Sequence, residues 1–277
     1  MEIAITGSHG LIGTALGAAL RAEGHGVRPI ARSGPIDLGG VDAVVNLAGE
    51  GIAEKRWDDE QKRKIRESRL DVTRRIVEAV DRDGVPVLLS GSAIGYYGDR
   101  GDDVLTEDAG PGTDFLAQLC IDWEAAAQEA KGARVALLRT GIVLTPKGGA
   151  LKKLLPLFKL GIGGRMGSGK QWVSWISLDD HVRAMQHLLT HDMSGPVNLT
   201  APNPVTNAQQ AKTLGIVLHR PSFLPTPAFG PKLLLGAELA SSLLNDSQRV
   251  VPQRLAESGF EHAHPELEGA LRALLGR

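Results

Sequence analysis

The chain has 277 residues, 42% of them apolar, with 31 basic and 32 acidic residues, a net charge of −1 and a single cysteine. That length can bury one large domain, or a large domain with a smaller partner, while no apolar run is long enough for a spanning helix and one cysteine cannot build a disulfide framework. Acidic and basic residues are interspersed, which excludes the one-signed, aromatic-laced face that nucleic acid requires.

The first strand is predicted over 2–6 and leads into Gly7, Gly10 and Gly13. A helix over 10–23 follows, with Leu11, Ile12, Ala15, Leu16, Ala19 and Leu20 on one face. Strand, glycine turn and amphipathic helix in that order build a seat for a dinucleotide pyrophosphate. Glycine serves where the turn is tight and backbone approaches phosphate, and the helix start supplies free N–H groups with partial positive charge. His9, Leu11 and Ile12 join the three glycines as expected cofactor-binding residues of that loop.

A second strand is predicted over 26–31, with Pro29 an irritant because proline donates nothing to a ladder. It ends at Ala31-Arg32-Ser33, where NAD sites commonly hold an acidic residue for the ribose 2′-OH. Arg32, with Ser33 beside it, suits a 2′-phosphate instead, because a guanidinium stays charged and forks onto oxygens. NADP(H) is the preferred cofactor and NAD(H) the second choice. The bland alternative is a solvent-facing arginine at a loop start.

Further strands are predicted over 43–48, 86–91, 134–139 and 196–199, and helices over about 57–82, 113–131, 149–160 and 178–190. The alternation predicts an α/β fold, a Rossmann-like doubly wound parallel sheet with ligands at the carboxyl ends of its strands. The charged run from Lys55 to Arg75 carries both signs and reads as a solvated helix face. Ser177-Leu178-Asp179-Asp180 and Thr206-Asn207-Ala208-Gln209 read as capping boxes. Pro221, Pro225, Pro227 and Pro231 mark a change of character. A Leu-rich helix over 231–244, the segment 250–255 and a last helix opened by Pro265 follow. The expected division is a nucleotide-binding domain over 1–220, with its substrate region at about 145–200, and a small helical appendage over 221–277. His262 and His264 have no cysteine or paired acidic ligand beside them, so no metal site is expected. The lone thiol and the immediate first strand imply a reducing, cytoplasmic setting without a signal peptide. The expected partner is a small-molecule substrate, with no membrane or nucleic acid, on a monomer or homodimer.

Four groups of residues carry a family resemblance: Thr6-Gly7-x-x-Gly10-x-x-Gly13; Asn46-Leu47-Ala48-Gly49; the run from Ser90 through Ser92, Tyr96 and Tyr97 to Gly98; and the later stretches 139–144 and 175–180. Together they resemble the extended, epimerase-like branch of the short-chain dehydrogenase/reductase superfamily. The runs 96–101, Leu119-Cys120-x-x-Trp123-Glu124, Gly169-Lys170-Gln171-Trp172 and Val251-Pro252-x-Arg254-Leu255 look like one subfamily within it. Its members are described as NAD-dependent epimerases, some labelled cell-division inhibitors, and end in a short C-terminal domain of unknown function.

The resemblance implies hydride transfer on a small, sugar-like substrate, by an oxidoreductase or an epimerase. It places Leu47, Ala48 and Gly49 beside the cofactor and Ser90 and Ser92 on the strand of the active-site serine. Ser92, at a strand's carboxyl end, would hydrogen-bond a substrate carbonyl or alcohol as charge shifts there. In the superfamily a tyrosine and a lysine four residues later share a helix face; the lysine holds the cofactor ribose and lowers the tyrosine pKa. Here those places hold Leu116 and Cys120, and no Tyr or Lys lies anywhere in 113–130. Three readings follow: Tyr96 or Tyr97 handles the proton, Cys120 reacts, or the chain binds NADP(H) without turnover as a sensor or scaffold. Arg69 stands where the branch pattern has asparagine, and either projects towards the cofactor or an anionic substrate or pairs at the surface with Asp71 or Glu67. Glycine-rich stretches at 161–164 and 167–170 read as a lid. Lys170 and Trp172, with Gln171 and Trp175, read as walls of a substrate pocket, or, for the two tryptophans, as helical packing.

Overall fold

Parallel strands need crossovers, and the sequence supplies them as helices on both sides of one sheet. The computed structural model describes residues 1–52, 55–223, 225 and 246–277. In chain order these are β1 (Glu2–Thr6), α1 (Leu11–Ala22), β2 (Gly26–Pro29), β3 (Ala43–Asn46), α2 (Asp59–Asp83), β4 (Val87–Ala93), β5 (Val104–Leu105), α3 (Phe115–Gln128), β6 (Arg134–Thr140), β7 (Ile142–Leu144) and α4 (Gly149–Lys159). Then come β8 (Trp172–Val173), β9 (Trp175–Ser177), α5 (Leu178–Thr190), β10 (Gly195–Leu199), β11 (Val205–Thr206), α6 (Asn207–Leu218), β12 (Arg249–Val250), α7 (Gln253–Glu257) and α8 (Leu267–Leu275). The Leu-rich helix expected over 231–244 lies outside the described residues.

Six strands form one sheet in the order β10-β6-β4-β3-β1-β2, and every pair in it is parallel. The chain runs outward from β1 to β2, then returns to β3 on the other flank. That reversal opens a crevice beyond the carboxyl ends of β1 and β3. Alternation along β1 sends Ile3 and Ile5 to the face covered by α1 and α5, among Leu16, Leu20, Met185 and Leu188. Ala4 goes to the opposite face with Val44, Ile76, Val80 and Leu88 of β3, α2 and β4. Both faces are covered, so the inner strands read as near-continuous apolar runs. Pro29 is accommodated because β2 is an edge strand and Pro29 is its last residue. The Ile30 N–H donates to the Ile5 carbonyl at 2.9 Å, so alternation turns the Pro29 nitrogen to the open side.

The final stretch completes these cores. β12 pairs in parallel with β5, Leu255 and Phe260 join the core under α5, and Leu267, Ala270 and Leu271 of α8 pack with α4 and α6. Thr206 and Gln209 close the expected capping box of α6, with Gln209 accepting from the Thr206 N–H at 2.7 Å. The Ser177 box differs. Ser177 Oγ accepts from the Asp180 N–H at 3.0 Å, but the fully buried Asp180 carboxylate accepts from the backbone of Ala263 (2.7 Å) and His264 (2.9 Å) instead of closing the box. A cap thereby becomes the tether of the C-terminal segment. Among the described residues no helix is long and apolar enough to cross a membrane.

One turn into α5, His181 is fully buried and its Nε2 lies 3.1 Å from Thr140 Oγ1. Thr140 donates onward to the Leu138 carbonyl, so Nε2 carries the proton of that pair, and Nδ1 has no hydrogen-bond partner. Burial pushes the His181 pKa from 6.5 down to about 4. The unfolded chain therefore takes up this proton first. Stability from His181 is complete above pH 6.5 and falls by roughly 3 kcal/mol as pH drops through the folded value. Burial shifts His187 and His262 downward too, adding the same sign. Urea unfolding of His181→Leu is expected to show a smaller loss between pH 7 and pH 4.5 than wild type, by about 2 kcal/mol; an equal loss in both proteins rules out this assignment.

Candidate functional site

The turn after β1 is packed too tightly for side chains. Gly7 has φ +64°, and a Cβ there would stand 2.6 Å from the Leu47 carbonyl oxygen. A Cβ at Gly13 would stand 2.3 Å from the Gly7 oxygen, which accepts the Gly10 N–H at 2.8 Å. Gly10 is the N-cap of α1 and supplies no side chain to cover the helix start. The end of β3 is drawn onto this turn by Thr6. Its hydroxyl donates to Asn46 Oδ1 (2.7 Å) and accepts from the Leu47 (2.9 Å) and Ala48 (3.1 Å) N–H groups. Asn46 Nδ2 and Trp123 Nε1 both donate to Thr73 Oγ1, at 2.8 and 2.9 Å, which ties α2 and α3 to the same point. His9 is exposed at the loop tip, Ile12 packs on the core, and Leu11 lies over the Gly148 backbone. Arg32 and Ser33 are exposed just beyond β2. Arg75 of α2 fastens that loop by donating to the carbonyls of Arg32 (2.9 Å) and Gly34 (2.5 Å).

In the middle of β4, Ser90 lies opposite Asn46 at the end of β3, fully buried, with a hydroxyl that makes no hydrogen bond. Ser92 donates to Glu124 Oε1 at 2.6 Å. Glu124 is gripped by Arg139 through two parallel bonds of 2.8 Å, and both side chains are buried. Arg139 also donates to the Tyr97 hydroxyl (3.1 Å) and lies 3.5 Å from the centre of the Tyr96 ring. Burial alone would lower the Arg139 pKa, but the Glu124 carboxylate holds it above its ordinary value. Glu107, nearby, is raised by burial.

The two tyrosines therefore part company. Tyr97 is fully buried, donates to Asn198 Oδ1 at 2.7 Å, and has its pKa pushed up by burial to about 12. Tyr96 keeps partial exposure beside it. On α3, Cys120 is buried with its thiol pushed up to about 12, by burial first and by the Glu124 charge second, so it carries no thiolate near neutrality. Leu116 lines a cavity of about 520 Å³ whose wall includes Trp57, Arg100, Asp114 and Phe115. Trp57 and Phe115 meet edge to face at 5.3 Å. Arg69 of α2 reaches the same side of the sheet and lies flat on the Gly49 backbone; a Cβ at Gly49 would come within 2.9 Å of its Cζ.

Lys170 and Trp172 stand apart from that cavity. Lys170 is exposed, and Trp172 donates to Asp102 Oδ1 at 2.7 Å with the Arg249 guanidinium 4.4 Å from its ring. Trp172 and Trp175 lie on short strands and not on a helix, and Trp175 is core, donating to the Asn203 carbonyl. Sequence reasoning passed over Thr73, Arg139 and Asn198. The signal for Arg139 was visible: an arginine directly after the apolar run Val135-Ala136-Leu137-Leu138 of an inner strand must find a buried counter-charge. Removing it by Arg139→Met leaves Glu124 unpaired, with an expected loss of about 3–5 kcal/mol in urea unfolding. A loss below about 1 kcal/mol would show that the pair is not needed.

The chain matches the family described as "NAD dependent epimerase/dehydratase family" over residues 3–200, and a domain of unknown function (DUF1731) over 226–274. Epimerase family protein Mb2239 of Mycobacterium bovis is 45% identical, over 97% of this chain and 96% of that protein. Epimerase family protein SDR39U1 of Homo sapiens is 36% identical, over 99% and 100%. The crystal structure of human SDR39U1 (isoform 2) with NADPH has a TM-score of 0.94 and 32% identity, with 100% of each chain covered. The glycine turn, the parallel sheet and these matches agree, and the chain belongs to the NAD dependent epimerase/dehydratase family.

Proposed function

We propose that the chain binds NADP(H) along the carboxyl edge of its sheet and acts as an oxidoreductase or epimerase on a small, sugar-like substrate. The observation that carries the reading is the turn over residues 7–13, where Gly7 and Gly13 sit too close to neighbouring backbone for any Cβ and the start of α1 is left without a side-chain cap. A diphosphate fits that cradle, seated by Gly7, His9, Gly10, Leu11, Ile12 and Gly13. Arg32 and Ser33 would meet a 2′-phosphate. Leu47, Ala48, Gly49 and the unpartnered hydroxyl of Ser90 would line the other half. Crystallisation of the human relative with NADPH supports the cofactor choice. The division near residue 220 belongs to the same proposal, with the last segment closing the flank of the nucleotide-binding part.

When bound, the nicotinamide supplies hydride acceptance and return. The residues of the chain supply orientation and proton handling. Because the Ser92 proton is committed to Glu124, its oxygen is left as an acceptor, which would suit a substrate hydroxyl more than a carbonyl. Tyr96 is the acid/base, with Arg139 beneath its ring, and Tyr97 supports the strand end from below. The cavity beside Leu116 would seat the substrate, with Lys170 and Trp172 outside its wall. A second reading, nucleotide binding without turnover, is favoured by one observation: Leu116 has no proton to give in the tyrosine's place, and the un-ionised Cys120 supplies no charge in the lysine's.

Calorimetry is expected to find NADPH bound about tenfold or more tighter than NADH, since a charge-assisted arginine–phosphate contact contributes roughly 1.5–3 kcal/mol. Arg32→Ala should abolish that preference; equal affinities in the wild type would remove the 2′-phosphate role. In a substrate screen followed by nicotinamide absorbance, Tyr96→Phe should cost on the order of a hundredfold in rate. Tight binding with no turnover of any sugar nucleotide would select the second reading.

A further inference from the structure

The even mix of acids and bases over the whole chain hides two stretches of one sign. No acidic residue lies between Glu129 and Asp179, or between Asp192 and Glu238. α4 comes from the first stretch and α6 from the second, and Leu155 and Phe158 of one pack with Leu214 and Leu218 of the other. Their carboxyl ends are joined. Arg220 Nε donates to the Lys159 carbonyl at 3.0 Å, and Pro221 lies against Gly161, where a Cβ would stand 3.4 Å from its ring. The corner so formed is apolar and cationic at once. Of the seven large apolar side chains exposed among the described residues, four are here: Leu160 (73% exposed), Ile162 (54%), Ile216 (46%) and Phe223 (79%). Lys159, Lys212 and Arg220 are exposed among them, and among the described residues no carboxylate forms an ion pair with any of the three. α8 packs on α6, but its carboxylates are engaged: Glu268 pairs with Arg272, and Glu266 accepts from Asn203. Lys212, Ile216, Arg220 and Phe223 edge a shallow hollow of about 640 Å³ that is open to solvent.

Exposed apolar side chains gathered in one patch and rimmed by charge mark an interface, and the charges choose its occupant. A second copy related by a twofold axis would set Lys159, Lys212 and Arg220 against cations of the same patch, with no acid from either stretch to answer them. Single-stranded nucleic acid stacks its bases on aromatic rings, and here Phe223 stands alone among aliphatic tips. An anionic bilayer answers both features, with negative headgroups outside and hydrocarbon beneath. We propose that this corner docks on the surface of an anionic phospholipid bilayer. Leu160, Ile162, Ile216 and Phe223 enter the boundary between headgroups and acyl chains, and Lys159, Lys212 and Arg220 meet the lipid phosphates. The chain would lie on the bilayer and not cross it, in keeping with the absence of a long apolar helix among the described residues. This docking departs from the membrane-free setting expected from overall composition, and it is independent of the nucleotide reading above.

The test is co-sedimentation of the full chain with vesicles of phosphatidylcholine alone, or of phosphatidylcholine and phosphatidylglycerol in equal parts. Wild type is expected to bind the mixed vesicles about tenfold or more tighter than the neutral ones, and to be released by high salt. Two double variants divide the contributions: Lys159→Gln with Lys212→Gln, and Leu160→Ser with Phe223→Ser. Each should weaken binding to the mixed vesicles about tenfold. All four side chains are exposed, so both variants should unfold in urea at the wild-type midpoint. Wild type that ignores the mixed vesicles overturns the proposal. So does binding that survives both pairs of changes, which would place the contact elsewhere. Loss with the lysine pair alone, alongside capture of a short DNA duplex lost in the same variant, would mark a general polyanion site and overturn it. A dimer in sedimentation velocity that the Leu160→Ser and Phe223→Ser pair dissolves, without vesicle binding, would give the face to a second copy and overturn it as well.

Discussion

A backbone contact too close for any side chain, Gly7 against the carbonyl of Leu47, sets where the two halves of the sheet meet. The contact requires a left-handed glycine on one strand end and a pinned peptide on the other. Thr6 supplies the pin, since one hydroxyl serves Asn46, Leu47 and Ala48 together. Through Thr73 the same knot holds α2 and α3, the helices that carry Arg69, Leu116 and Cys120. The shape of the crevice is thus decided by a few short polar links and missing methyl groups, with the apolar layers on either side making those links rigid.

Next to that knot lies a second kind of constraint. Glu124 and Arg139 are buried together, and an ion pair so placed roughly cancels its own desolvation penalty. Its effect is therefore geometric more than energetic. Ser92 is fixed by Glu124, Tyr96 is stacked over Arg139, and Tyr97 links the pair to Asn198 of the outermost strand. Three side chains from β4 and the turn that follows it are held in register by a charge pair that could not be loosened without exposing one bare ion to the core.

The long periodic elements were legible in the chain because their signals are local. The helix over 178–190 and the strand at 2–6 have the bounds expected, and the glycine spacing led to the right turn. What escaped was non-local. β7, β8, β9, β11 and β12 have two or three residues each, too few to show a period, and exist only through partners far along the chain. Ser177-x-x-Asp180 has the spacing of a box, but its acid was claimed by backbone from residues 263 and 264. Adjacent tyrosines look equivalent in a sequence; a 3-10 turn sends one into the core and leaves the other half open. The inert thiol and the departure at Arg69 were visible as residue types, while the lack of an ion pair to Arg69 among the described residues depends on where the neighbouring carboxylates went.

Asp180 and the pairing of β12 with β5 have a bearing on biosynthesis. The nascent chain emerges with its main-sheet strands first, but Leu255, Phe260, Leu267 and Leu271, which seal two apolar clusters, follow more than fifty residues after β10. Until the ribosome releases those residues, α4, α5 and α6 expose greasy surface and Asp180 has no backbone donors from residues 263 and 264. Contacts of such long sequence separation slow the search and leave sticky intermediates. A stop codon just before Leu255 would therefore yield a species for chaperones and proteases, despite leaving the whole glycine turn intact.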